Sequence, residues 1–476
     1  MFRAHPWLLS LALSLACQQA WAEPSNLPWL SREQPSQVRP LGARQLADEL
    51  RSPSSSPGAD LNVPTALQTP LGLHEAVRVA VNRHPAIMSA LSAIAQQQGQ
   101  VEFSRAGYYP KLSAGMGSGR VNTYGYGQVA TVSLSQMLHD FGKVEGTVTQ
   151  AQGQVLKQQA LLLKQIDNVA GQTAEALLEV HRRQALLNIA REQVKAIQKV
   201  LDRIKMRADS GLIAQSDFIQ ATTRLQNAEA NSQHVLSQLS QWRARLSTLV
   251  GNPLPDSVDS MPADLEQSAQ LQSLPDFSLL PDILAAQADR QSAYGQLQNA
   301  KAQRYPTLAL EANANQALSG INPENGIQHG RYNSVMLTGS MALYDGAATS
   351  AHIRSANAGV EHAESTLNES RLTAEDALLR AREQANGARG RLGILGQRMA
   401  SMNQTLGLYR EQYSVGTRSV LDLLNAEQEI YQAAADLETA RHDFWLGLIT
   451  YIGAAGLSRQ VYGLDASATE QMGIEP

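Results

Sequence analysis

Cysteine occurs once in the 476 residues and aromatic side chains make up only 5 % of them. Beyond the N-terminus, no segment reaches the run of about 18 to 20 apolar residues that a membrane-spanning helix needs. Each shortage excludes something. The lone Cys17 cannot form an internal disulfide. The scarcity of aromatics, together with long proline-free stretches of Ala, Gln, Leu, Asn and Ser, favours extended helices over the compact core of a globular enzyme. A helical membrane span is excluded. The formal charge of −4, with no arginine or lysine stripe, leaves no basic footprint for nucleic acid.

Residues 1–22 read as a secretory signal peptide. Arg3 and His5 precede the apolar run Trp7 to Ala16, and Ala20-Trp21-Ala22 offers a small-x-small cleavage site. Cys17 is alternatively a lipidation site, but Ser14-Leu15-Ala16 matches the expected Leu-(Ala/Ser)-(Gly/Ala) poorly, and cleavage after Ala22 discards the cysteine. Residues 23–70, rich in Pro and Ser, read as a flexible lead outside the cytoplasm.

The remainder of the chain is one unit written twice. His84-Pro85 and Leu280-Pro281 precede Tyr109-Pro110 and Tyr305-Pro306 at a common offset of 196 (281 − 85). From Asp140 and Asp345 onward the offset is 205 (345 − 140), through Gly211/Gly416 and Asp217/Asp422. A nine-residue insertion (205 − 196) therefore falls in the second copy, around Ser319 to Arg331, where turn residues mark a loop. Repeat 1 covers 71–250 and repeat 2 covers 281–456, joined by a link over 251–280 and followed by a tail over 457–476. Each repeat is expected to run short helix, strand pair, long helix, turn, short helix. The long helices are expected over 143–208 and 346–413, and their closing partners over 215–250 and 419–455. Leu187, Ala190, Val194, Ile197, Leu201 and Ile204 keep a three-four coiled-coil alternation, answered by Leu392, Leu395, Met399, Met402, Leu406 and Tyr409.

The strand pairs, 110–139 and 307–343, change period to two. Leu308, Leu310, Ala312 and Ala314 alternate with Thr307, Glu311 and Asn313. Such strands suit either a soluble sandwich or an outer-membrane barrel. Tyr108, Tyr109 and Phe141 bracket the first pair and Tyr305 and Tyr344 the second, as an aromatic girdle at a lipid boundary requires. Four strands cannot close a barrel whose usual minimum is about eight, so a barrel implies several copies.

On these residues the chain resembles the TolC family of outer-membrane export channels. The likeness runs from about Leu73 to Gly453 and rests on His84-Pro85, Gly107-Tyr108-Tyr109-Pro110, Asp140-Phe141-Gly142, the two Gly-x5-Asp turns and Tyr413-Ser414-Val415-Gly416-Thr417-Arg418. The resemblance implies an α+β membrane protein: a homotrimer whose twelve strands form a transmembrane β-barrel and whose helices form a coiled-coil barrel in the periplasm. It implies a channel with no enzymatic activity, no cofactor and no metal, receiving substrate from an inner-membrane ABC transporter (or RND pump) through a periplasmic adaptor. Type I protein secretion is expected first, multidrug efflux second. A soluble periplasmic coiled-coil adaptor is the alternative of another class, and it leaves the amphipathic strands unexplained.

The same resemblance assigns residues. Gly211 and Leu212, with Gly416 and Thr417, would form the periplasmic tip turns that meet the adaptor. Tyr413 and Arg418 would link to Ser216 and Asp217 to hold the tip shut. Asp422 would supply one carboxylate ring at the entrance, with Asn425 where a second acid would stand, so strong cation binding there is not expected. Other motifs lack their context: Asp140-Phe141-Gly142 has no catalytic loop beside it and fits a helix cap, Gly115-x-Gly117-x-Gly119 sits inside a strand pattern, and the histidines show no metal-ligand spacing.

Overall fold

The computed structural model describes residues 71–464 except 122–124, 210–213, 252–253, 256–257, 260, 263, 273–274, 321 and 323–327. The expected signal peptide, the lead to residue 70, the tail from 465 and the tip residues Gly211 and Leu212 lie outside the described residues.

The first copy consists of α1 (Leu73–Arg83), α2 (Pro85–Arg105), β1 (Lys111–Val121), β2 (Gly125–His139), α3 (Lys143–Asp209) and α4 (Gln215–Val250). After a short α5 (Leu265–Ala269) the second copy brings α6 (Pro281–Ala302), β3 (Thr307–Ser319), β4 (Arg331–Ser340), α7 (Ala348–Ser414) and α8 (Val420–Ala454), followed by α9 (Ser458–Val461). The element starts keep the two offsets read from sequence, 196 for α2 and α6 (281 − 85) and 205 for α3 and α7 (348 − 143). Both long helices have 67 residues.

Local chemistry sets the boundaries. Pro85 and Pro281 stand at the first helical positions, where a missing N–H costs nothing. The residue before each proline is pushed to extended backbone, and His84 at ψ 126 breaks α1 from α2. Asp140 caps α3: its Oδ1 accepts from the Gly142 N–H at 3.0 Å and its Oδ2 from Val144 at 2.6 Å, a cap worth about 1 kcal/mol. Asp345 accepts from the Thr349 N–H at 2.7 Å at the corresponding place in the second copy.

Helix α3 is the spine. It packs against α1, α2, α4, α6 and α8, while α7 packs against α6 and α8. The shorter helices of each copy therefore line up along its long one, α2 on the strand side and α4 or α8 on the far side. Of the expected seam, Leu187, Ala190, Ile197, Leu201 and Ile204 are buried and Val194 is half-buried; in the second copy Leu406 is buried and the others are half-buried. The largest apolar cluster sits at mid-length, and a second one, with Ile204, Ala221, Leu225, Leu406, Tyr413, Leu423 and Leu424, fills the far end.

Two stretches differ from the sequence expectation. In the link over 251–280, Met261, Leu265 and Ala269 are buried in the main cluster and Val258 pairs in parallel with Leu71. In the tail expected from residue 457, Tyr462 and Leu464 lie in that same cluster. Both stretches cover apolar helix surface that would otherwise face water.

The four strands form one antiparallel sheet in the order β1-β2-β3-β4, so the two copies join through β2 and β3. The register brings Leu112 opposite Leu134, Leu134 opposite Ala312, and Ala312 opposite Val335. The next row is Ala114, Val132, Ala314 and Asn333. This face is mostly apolar, with Asn333 and Gln136 as polar exceptions, and Leu112, Val132, Leu134, Leu310, Val335 and Leu337 are exposed on it. The other face carries Ser113, Ser133, Asn313 and Ser334 in one row. β4 stops at Ser340, three residues short of the expected end, and Met341, Leu343 and Tyr344 are exposed in the connection to α7.

Candidate functional site

Two regions carry the chemistry of a conduit: the sheet with its aromatic margin, and the far tip of the coiled coils.

At the sheet margin, Tyr108, Tyr109, Phe141, Tyr305 and Tyr344 are all exposed where helices meet strands. Phe141 stacks on Tyr305 with ring centroids 5.4 Å apart and meets His139 edge-on at 4.4 Å. Lys143 Nζ donates to Thr307 Oγ1 at 2.8 Å and Asn299 Nδ2 to the Lys143 carbonyl at 2.7 Å, tying the two copies below the sheet. Just beyond, α3 and α6 come into backbone contact through Gly146, Gly153, Ser292 and Gly295. A Cβ on Gly295 would lie 2.4 Å from the Gln150 nitrogen, and one on Gly146 would lie 2.5 Å from the Asn299 nitrogen. No helix among the described residues is long and apolar enough to cross a membrane. The exposed apolar side chains of the sheet make a surface suited to lipid. The outer edges of β1 and β4 are open for pairing with further strands.

At the tip, α7 ends in a Schellman turn. The Thr417 N–H donates to the Gln412 carbonyl at 3.0 Å and the Gly416 N–H to Tyr413 at 3.1 Å, with Gly416 at φ 82 where a side chain would be strained. Ser419 then caps α8, its Oγ accepting from the Asp422 N–H at 3.1 Å. Asp422 lies in the first turn of α8 and Asp217 in the first turn of α4, each favoured by the positive end of its helix.

The expected gate residues have other partners within one chain. Tyr413 is buried beneath Arg207 of α3, whose guanidinium carbon lies 4.7 Å from the ring centroid, and its hydroxyl has no hydrogen-bond partner among the described residues. Arg418 stacks over Tyr409 at 4.1 Å, and its Nε lies 3.7 Å from Asp422 Oδ2. Ser216 Oγ donates to Asp217 Oδ1 at 3.5 Å. Among the described residues no hydrogen bond or ion pair joins Tyr413 or Arg418 to Ser216 or Asp217. Asn425, the second entrance position, accepts from Arg224 Nη2 at 3.2 Å. Arg224 is a tip residue that sequence reasoning missed, because nothing in the local pattern of α4 says which residues of α8 it faces.

No group of three or more His, Cys, Asp or Glu side chains among the described residues is arranged to hold a metal ion. The family model described as Outer membrane efflux protein matches residues 76–252 and 279–450, one segment in each repeat. The chain belongs to the outer membrane efflux protein family.

Relatives of this efflux family agree. The chain is 24 % identical over 386 residues to the Outer membrane efflux protein BepC of Brucella suis, covering 80 % of this chain and 84 % of that protein. It is 24 % identical over 349 residues to the Outer membrane protein TolC of Escherichia coli, covering 69 % of each. Against the Alkaline protease secretion protein AprF of Pseudomonas aeruginosa it is 23 % identical over 339 residues, 68 % of this chain and 69 % of that one. Among solved structures, the outer membrane protein VceC of Vibrio cholerae superposes with a TM-score of 0.69 at 19 % identity, over 81 % of this chain and 96 % of that one. The efflux-family protein is an outer membrane channel with a large periplasmic portion, and not an enzyme.

Proposed function

We propose that this chain is the outer-membrane duct of a type I protein secretion system, working as a homotrimer with a periplasmic adaptor and an inner-membrane ABC transporter. The observation that carries the reading is the tip. Tyr413 to Arg418 keeps the string on which the TolC resemblance rests, and it folds into a Schellman turn, after which Ser419 caps α8. The name of AprF, a protease secretion protein, supports the same choice, while that of BepC favours efflux as the second reading. The open edges of β1 and β4 support the trimer, since closing a barrel from four-stranded sheets needs about three copies to make twelve strands.

In this reading Tyr413, Arg418, Ser216 and Asp217 act between neighbouring chains. The Tyr413 hydroxyl, unpartnered among the described residues, and the half-buried Asp217 carboxylate are then completed across the subunit boundary. Tyr108, Tyr109, Phe141, Tyr305 and Tyr344 mark the inner lipid boundary. Deleting the gene in its host tests the function. Loss of one or a few proteins from the culture medium, with antibiotic susceptibility unchanged, is expected. Sensitisation to several antibiotics with an unchanged set of secreted proteins would transfer the protein to efflux.

A further inference from the structure

We propose that Arg224 is a latch holding the two coiled coils of one chain together at the periplasmic tip, and that opening requires it to leave Asn425 and Gln428. The proposal rests on the channel reading above and adds a residue to it. Helix α4 packs along α3, and α8 along both α7 and α3, but α4 and α8 approach each other only locally. Across that approach Arg224 Nη2 donates to Asn425 Oδ1 at 3.2 Å and Arg224 Nη1 donates to Gln428 Oε1. The two acceptors are three residues apart and so share one face of α8, where a planar guanidinium can reach both. Beside them Ala221 and Leu225 of α4 and Leu424 and Ala426 of α8 are buried in the tip cluster. The latch is therefore the polar rim of an apolar contact joining all four helices.

Its chemistry suits repeated release. Both acceptors are neutral amides, and Arg224 makes no ion pair among the described residues. Hydrogen bonds of a charged donor to neutral groups are weaker than a paired guanidinium and carboxylate, and they do not depend on a titrating acceptor. Had an acid stood at 425, the same fork would have closed a salt bridge. Breaking the latch removes the polar link between α4 and α8 and leaves only the apolar contact beneath it to part, while the α3–α4 and α7–α8 seams stay packed. The set is separate from Tyr413, whose intrachain partner is Arg207 of α3.

The test is single-channel conductance of purified trimers in planar bilayers. Arg224→Ala should raise mean conductance by about threefold or more, since three latches per trimer act on one closed-open balance. Asn425→Asp should conduct less than wild type at low salt and recover at high salt, an opposite and screened effect that a folding defect would not give. If Arg224→Ala fails to trimerise, the double change Asn425→Ala with Gln428→Ala removes the same bonds and should raise conductance likewise. Wild-type conductance in whichever of these two variants trimerises, with Tyr413→Phe/Arg418→Ser opening the channel, overturns the latch and leaves the channel reading intact. Trimers of every variant, wild type included, that never conduct overturn both.

Discussion

His181 Nδ1 lies 2.8 Å from His442 Nε2, so two imidazoles from α3 and α8 share a hydrogen bond in the protein interior. His442 is fully buried, its Nδ1 lies 2.8 Å from the Glu438 carbonyl, and Trp445 packs edge-on against both rings. A shared proton requires at least one ring to be neutral.

The pair makes stability depend on pH. Burial lowers the pKa of both rings, that of His442 to about 4, with His181, Arg182 and Arg441 adding to the effect and the Glu438 carbonyl opposing it. Glu438 and Asp259 partly offset the shift at His181, while Arg441 adds to it. With the folded value below the unfolded one, the unfolded chain binds the extra proton first. Stability is therefore intact above the ordinary histidine range and falls as pH drops from about 6.5 to about 4. At roughly 1.4 kcal/mol per unit, His442 alone removes about 3 kcal/mol. Thermal unfolding in detergent should show this slope, and His442→Phe should flatten it. Equal slopes would place the acid sensitivity elsewhere.

Helix contact by glycine should be intolerant of a single methyl. Gly295→Ala sets a Cβ 2.4 Å from the Gln150 backbone nitrogen, and overpacking of this kind costs about 1–3 kcal/mol. Gly387→Ala in α7 meets nothing within 4 Å beyond its own helix among the described residues and should be neutral or stabilising. Melting temperatures of the two variants should differ in that order; the reverse order would mean that α3 and α6 are not in backbone contact.

The two sheet faces should respond oppositely to charge. Val335→Arg puts a guanidinium on the apolar face, at a cost of about 2–4 kcal/mol near a bilayer midplane, and should reduce outer-membrane assembly. Ser334→Arg on the polar face should assemble normally and change conductance. Equal assembly of both would show that the apolar face does not meet lipid.

Tyr413→Phe removes a buried hydroxyl that has no partner among the described residues of its own chain, so the single change should alter the stability of the individual chain by less than about 0.5 kcal/mol. Combined with Arg418→Ser, which gives up the Asp422 contact and the stack on Tyr409, it should raise conductance and admit large antibiotics to cells. At a partly exposed tip each chain loses about 1 kcal/mol or less, and three chains together shift the balance by roughly tenfold. Asp422→Asn should stay nearly closed but weaken block by multivalent cations entering from the periplasm. A double mutant that conducts like wild type, while still trimeric, would mean that these residues do not close the channel.

Sequence shows the elements well because their causes are local. Pro85 and Pro281 start helices, Asp140 caps one, Gly416 ends one, and the three-four spacing from Leu187 to Ile204 buries a seam. The site is less legible because its contacts are not local. Arg224 meets Asn425 about 200 residues later, and His181 meets His442 some 260 residues later, in both cases through packing that no single helix pattern records. The crossing at Gly146 and Gly295 has a signal in small residues at helical spacing on both helices, but only the pairing of α3 with α6 gives it meaning. Met261 and Leu265 escape a sequence reading because isolated apolar residues in a polar stretch carry no period.

Helices α3 and α7 have the same number of residues, and this makes the molecule a ruler. Each is about 100 Å long at 1.5 Å per residue, so the two helices have the same reach from their own first turns. Removing seven residues from α3 alone would shorten it by about 10 Å against α7. Only deletions matched in α3, α4, α7 and α8, and made in whole heptads, would shorten the protein while keeping both seams in step. Its reach is thus quantised, and the gap left to the inner membrane must be spanned by a partner cut to the same measure.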